Sequence, residues 1–116
     1  KAGLTRHYKP IFRPPAWRMT EEAIKALSDN GIEIFALSRD EYALKTYKKA
    51  NEKVKCVYQT CCPPDKPLEL FSKTEIVYHA CEWLDNCLDI PKTKQLINFI
   101  DSEIDRIKFC FMEEMV

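Results

Sequence analysis

Two residues in this sequence join a catalytic repertoire to a position that exposes it. Arg13 stands at the end of Pro10-Ile11-Phe12, a short apolar run stopped by Pro14 and Pro15. Its planar guanidinium suits a carboxylate, which it can hold through two parallel hydrogen bonds. His79 is the last residue of Glu75-Ile76-Val77-Tyr78-His79, another apolar run. An imidazole exchanges its proton near neutral pH and so serves as general acid or base. Trp17 follows Arg13 closely and offers an aromatic wall beside the two prolines, while Glu82 and Trp83 follow His79. Each of these residues also has a plain structural explanation. Arg13 can pair with a surface carboxylate, and His79 can be a hydrogen-bonded, half-buried histidine. Trp17 can be core, Asp65 a turn former, and Glu82 with Trp83 part of a short amphipathic helix. His7 reads as a solvated residue of the leading segment.

The elements that must carry these residues are legible from pattern. Pro10–Phe12 reads as a strand that ends at Arg13, because proline donates nothing to a sheet and pushes its predecessor to extended geometry. Thr20 is a helix cap with Glu21 and Glu22 in the first turn, Ala23, Ile24 and Leu27 form the buried stripe, and Asn30-Gly31 is the stop. Residues 32–37 (IEIFAL) form a strand apolar enough to be buried on both faces, as in parallel sheets. Ser38-Arg39-Asp40-Glu41 opens a second helix to about Ala50, and residues 54–60 alternate as a strand.

Three prolines among residues 61–67 (CCPPDKP) demand a loop. Residues 68–71 are ambiguous. Residues 75–79 read as a strand, 80–88 as a short helix around Trp83 and Leu84, and 92–104 as a third helix with Leu96, Ile97, Ile100 and Ile104 on one face. Residues 107–112 alternate like a closing strand. The order β-α-β-α-β-loop-β-α-β implies an α/β fold with a mainly parallel sheet or part of a (β/α) barrel. In such folds ligands bind at the carboxyl ends of strands, where Arg13 and His79 both fall.

Composition narrows the field. At 116 residues the chain is read as a single domain, 1–116. Eighteen basic and eighteen acidic residues balance to a net charge of zero, which gives no support for a nucleic-acid partner. No apolar run approaches the roughly 20 residues that span a bilayer as a helix. Lys1-Ala2-Gly3 has neither an initiator Met nor an apolar signal core, so the expectation is a piece of a longer polypeptide. Six cysteines (Cys56, Cys61, Cys62, Cys81, Cys87, Cys110) do not follow paired CxxC zinc spacing. They read as buried or free thiols, a usage that tilts toward a reducing, cytoplasmic compartment, with disulfides or metal as the alternatives.

Phe12-Arg13-Pro14-Pro15-Ala16-Trp17, followed by a capped helix, Gly31 and a short strand, resembles the third motif region of the polysaccharide deacetylases, the family-4 carbohydrate esterases and their relatives. Ile76-Val77-Tyr78-His79 resembles the family's last motif, a strand ending in histidine, and residues 92–112 resemble its closing helix and strand. The resemblance covers about residues 10–112. It implies the C-terminal half of a distorted (β/α) barrel acting as a hydrolase on an N-acetylated carbohydrate. Zinc or a similar divalent cation would polarise the amide and activate water in the complete domain. His79 would protonate the leaving amine, Arg13 would hold a catalytic carboxylate, and Pro14, Pro15, Trp17 and Trp83 would line the sugar groove.

The sequence departs from that family in its metal ligands. The early Thr-Phe-Asp-Asp-type motif and the His-x-x-x-His motif are both absent, and the only histidines are His7 and His79. The Asp–Trp motif that orients the acid histidine has no clear counterpart, Asp65 being the nearest by position. The expectation is therefore that a missing N-terminal half supplies the metal ligands, and that this chain alone neither holds zinc nor deacetylates. Two other function classes stay open: a non-catalytic carbohydrate-binding or assembly module on a degenerate barrel that keeps an aromatic groove (Trp17, Trp83, Tyr78) and loses the metal, and a metal or redox protein built on the cysteines.

Overall fold

The structure, a computed structural model, describes residues 8–38 and 54–116. The expected helix from Ser38 to Ala50 therefore lies almost wholly outside the described residues. The chain clusters into two compact units, one drawn from Lys1–Tyr58 with Met112–Val116, the other Gln59–Phe111.

The first unit is built on three parallel strands in sequential order: β1 (Ile11–Phe12), β2 (Ile34–Leu37) and β3 (Lys55–Tyr58). The register sets Ile11 and Phe12 against Ile34 and Phe35, and Ile34 to Leu37 against Lys55 to Tyr58. β2 is the central strand and all four of its residues are buried, as its unbroken apolar run requires. This is an α/β arrangement with a small parallel sheet.

Helix α1 (Glu21–Asp29) connects β1 to β2. The Thr20 hydroxyl accepts from the Ala23 amide at 3.2 Å, and Glu21 and Glu22 sit at the positive end of the helix dipole. The Glu22 carboxyl is lowered by hydrogen bonds to its own backbone amide and to Thr20. At the other end Gly31 takes φ +90°, the Ile32 amide reaches back to the Leu27 carbonyl at 3.0 Å, and the Gly31 amide to Ser28 at 3.0 Å. This is a Schellman ending, and its usual apolar contact is supplied by Leu27 and Ile32, which both pack on the core. The core joins Ile24 of the helix and Met19 just before it to Phe35 and Leu37 of the sheet. Phe35, Ile24 and Leu37 are fully buried, each contributing about 1.5–3 kcal/mol by leaving water. A Lys9–Glu113 ion pair at 2.7 Å ties Met112–Val116 into this unit.

The second unit departs from expectation in three places. Residues 75–79 form no strand ladder: Ile76 bridges Cys61, His79 bridges Cys87, and Glu75 exchanges bonds with Thr60. The segment that pairs with Ile76 turns away at once, because Cys62 and Lys66 close the proline-rich loop on themselves with bonds of 2.8 and 3.1 Å. Residues 81–88 form two successive turns rather than a helix, for Cys87 and Leu88 are drawn into the bridge to His79. Residues 107–111 form no strand, and Phe109 and Phe111 are exposed.

The third expected helix is present as α2 (Ile90–Glu103), prolonged by a 3-10 turn over Ile104–Arg106. Asp89 caps it, accepting from the Lys92 amide at 2.8 Å, and Pro91 occupies its first turn, where no amide donor is missed. No residue of α2 is buried: Leu96 and Ile100 are half-buried, while Ile97 and Ile104 are exposed.

Candidate functional site

Arg13 leaves the sheet at the carboxyl end of β1, as its position after Ile11-Phe12 predicts. Pro14 is buried and fixes the exit direction, and Pro15 opens a 3-10 turn that ends at Trp17. Within that turn the Trp17 amide bonds the Pro14 carbonyl at 3.1 Å and the Arg18 amide bonds Pro15 at 3.3 Å. Ala16 and Trp17 both take positive φ, 52° and 61°. Side chains carrying a Cβ adopt that region at a cost of about 1–2 kcal/mol each, and such costs gather where function fixes the backbone.

The distorted turn brings the indole back under the strand end, so that the Arg13 guanidinium carbon lies 4.5 Å from the Trp17 ring centroid. That is cation–π distance. The contact sets the guanidinium over the indole, just past the carboxyl end of β1. Ser38 leaves that same edge directly after β2 and is buried. A polar residue ending a buried apolar run is the sequence signal that marks it. Four of the six expected site residues (Arg13, Pro14, Pro15, Trp17) thus form one cluster in the first unit.

His79 and Trp83 belong to the second unit. His79 is half-buried, its amide bonded to the Asn86 carbonyl at 3.1 Å and its carbonyl receiving the Leu88 amide at 3.0 Å. These bonds close the neck of a loop whose tip carries Trp83, exposed at 83%. Neighbouring Tyr78 places its hydroxyl out of water with no hydrogen-bond partner among the described residues, and the Asn86 Oδ1 is in the same condition. Asn86 directs its Nδ2 to the Cys62 sulfur at 3.6 Å. Burial pushes the Tyr78 phenol up, nearby Cys61, Cys62 and Asp89 reinforce the rise, and Lys92 opposes it. Sequence reasoning placed Tyr78 only in the aromatic groove of a non-catalytic module and did not single out Asn86. Nothing in the spacing of Asn86 announces it, and Tyr78 reads as the body of a strand. Asp65 lies exposed in the proline-rich turn, where turn formation accounts for it.

Among the described residues no group of three or more His, Cys, Asp or Glu side chains is placed to hold a metal ion. The described residues therefore do not fit a catalytic zinc, which needs three protein ligands and an open position. The six cysteines are thiols: Cys61 and Cys62 buried, Cys56, Cys81 and Cys87 half-buried, Cys110 exposed. The Cys61 thiol donates to the Glu69 carbonyl at 3.4 Å. No helix of the described residues is long and apolar enough to cross a membrane. Comparison with protein-family models, with curated proteins and with solved structures finds no match.

Proposed function

We propose that this chain is part of a hydrolase related to the polysaccharide deacetylases, acting on the amide of an N-acetylated sugar within a distorted (β/α) barrel. The observation that carries the reading is Arg13, set at the carboxyl end of a parallel strand and lying 4.5 Å from the Trp17 ring centroid across a distorted turn. A guanidinium at that edge suits the orientation of a carboxylate, the partner that acts as general base in this reading. Pro14, Pro15 and Trp17 give the rigid apolar wall against which a sugar ring would lie.

His79 takes the second role. Its half-buried ring, on a backbone clasped on both sides by Asn86 and Leu88, would donate a proton to the amine nitrogen as the carbon–nitrogen bond breaks. The reading assigns to zinc or a similar divalent cation the polarisation of the amide carbonyl. Its ligands belong to the other half of the barrel, and none is assigned to the residues described here.

Acetate release from N-acetylated chitooligosaccharides, measured on the intact parent polypeptide with and without a chelator, tests this proposal. Release that the chelator stops is the expected result. A parent that binds the oligosaccharide and releases no acetate would leave a carbohydrate-binding module in place of the enzyme.

A further inference from the structure

The outward face of α2 carries a pattern that the helix does not need for itself. Ile90, Ile97 and Ile104 recur every seven residues and are exposed at 73%, 52% and 51%. The half-buried apolar residues Leu96, Phe99 and Ile100 lie to one side of that stripe. A helix of this length draws most of its stability from burying an apolar face, yet no residue of α2 is buried. An apolar repeat of seven residues is the seam along which two helices pair.

The charges beside the stripe suit one pairing in particular. Lys94 flanks it in the first half of the helix, and Asp101 holds the equivalent place in the last turn. Both are exposed, and neither has an ion-pair partner among the described residues. Seven residues of helix set them about 10 Å apart along the axis, beyond each other's reach. Asp101 also stands at the negative end of the helix dipole, where a carboxylate is unwelcome. Lys92 and Glu103, by contrast, are already committed, to Asp89 at 2.8 Å and to Arg106 at 2.7 Å.

We propose that this face pairs with a second copy of the chain, α2 against α2, antiparallel about a twofold axis. In that arrangement the flanking position of one helix meets the same position of the other. Lys94 then faces Asp101 of the second copy, and Asp101 faces its Lys94, so both idle charges are matched. The same register sets Ile97 against Ile100 of the second copy and Ile104 against its Thr93. A parallel pair does not do this. It places Lys94 opposite Asp89, which already holds Lys92, and Asp101 opposite Leu96. The inference goes beyond the deacetylase reading and does not rest on it.

Sedimentation velocity of the full chain over a wide range of concentration tests the proposal. A monomer–dimer equilibrium is expected, and raised salt should weaken it. Ile97→Lys should abolish it by placing a charge in the seam. Lys94→Glu alone and Asp101→Lys alone should each weaken it roughly ten- to hundredfold, since two attractive contacts become two repulsive ones. An equal mixture of those two variants should recover the wild-type strength, because each supplies the charge that the other lacks. All three substituted side chains are exposed, and circular dichroism confirms that the variants keep their helix. A chain that stays monomeric at every concentration overturns the proposal. So does a dimer that survives Ile97→Lys, or a mixture that associates no better than its components. The intact parent is run in the same way, and a parent that stays monomeric overturns the proposal too, by showing that other parts of the polypeptide cover the stripe.

Discussion

The Arg13 guanidinium lies 4.5 Å above the Trp17 indole, and the backbone between them reaches that arrangement through two residues at positive φ. The ring gives the cation a stacking face, and a planar fork can grip a carboxylate through two parallel bonds. Replacing Arg13 by Lys keeps the charge but loses the fork and the stacking face. In the intact parent this substitution should lower kcat while leaving KM for the N-acetylated substrate within a few-fold. Trp17→Ala should lower kcat in the same sense and also raise KM, because Trp17 packs on Arg13 and, in the proposed site, also walls the sugar groove. Steady-state kinetics check both, and an Arg13→Lys enzyme at the wild-type rate would remove the orienting role.

The turn itself is testable without any substrate. Ala16 sits at φ 52°, where a methyl group is unwelcome and glycine is at ease. Ala16→Gly should be neutral to stabilising, by up to about 1 kcal/mol, since the relieved backbone outweighs the freedom glycine adds to the unfolded chain. Alanine to glycine at an ordinary loop position destabilises. Urea unfolding curves of the two proteins give the sign, and a clear loss of stability would show that the positive φ is not held in solution.

His79 is the proposed proton donor to the leaving amine. His79→Ala should lower turnover of the parent by roughly two to four orders of magnitude, the usual span for general acid–base catalysis. The loss should shrink for substrates with a better leaving group, such as an aryl acetate, which needs less protonation. A uniform loss across substrates would point instead to collapse of the loop neck, where the His79 backbone bonds Asn86 and Leu88.

The first unit was readable because its signals are local and agree with one another. Thr20, Asn30 and Gly31 bound α1 through bonds that span only a few residues. β2 announces its burial by an unbroken apolar run, and the prolines after Arg13 end β1. The second unit was not readable in the same way. Ile76-Val77-Tyr78-His79 carries strand composition, but a strand needs an edge to pair with, and the pairing segment folds back at Cys62 instead. The alternation of residues 107–112 likewise gives no strand, and Met112–Glu114 forms a 3-10 turn instead. Of the site, Arg13 and Trp17 were visible as residues, whereas their contact depends on a left-handed turn at alanine and tryptophan that no propensity favours. The buried hydroxyl of Tyr78 depends on which side chains close over it, and a linear pattern carries no such information.

The six thiols should separate by burial when an alkylating agent is added to the folded chain. Cys110 is exposed and should react first, Cys81 and Cys87 next. Burial pushes the Cys56 thiol up, which keeps it protonated and slow. Cys61 and Cys62, both buried, should react only as the chain unfolds. Mass mapping of the alkylated peptides over time gives the order. Early modification of Cys61 or Cys62 would mean that the proline-rich loop opens readily.

Helix α2 should depend on pH through its cap. Asp89 accepts from the Lys92 amide and pairs with the Lys92 ammonium, both at 2.8 Å, and these contacts hold its carboxyl below the ordinary aspartate range. A carboxyl whose folded value is depressed adds stability that is fully present above its unfolded value and is lost as pH falls through the folded one. The helical signal should therefore hold steady from neutrality down to about pH 4, the ordinary aspartate value, and decline below it. Asp89→Asn keeps a side-chain acceptor for the Lys92 amide but carries no charge, so its helix should form and lose most of that acid dependence. Asp89→Ala should lower helicity at every pH. Far-ultraviolet circular dichroism of the three proteins from pH 7 to pH 2 separates the cap from the other carboxylates. An Asn variant that melts in acid as the wild type does would place the titrating group elsewhere.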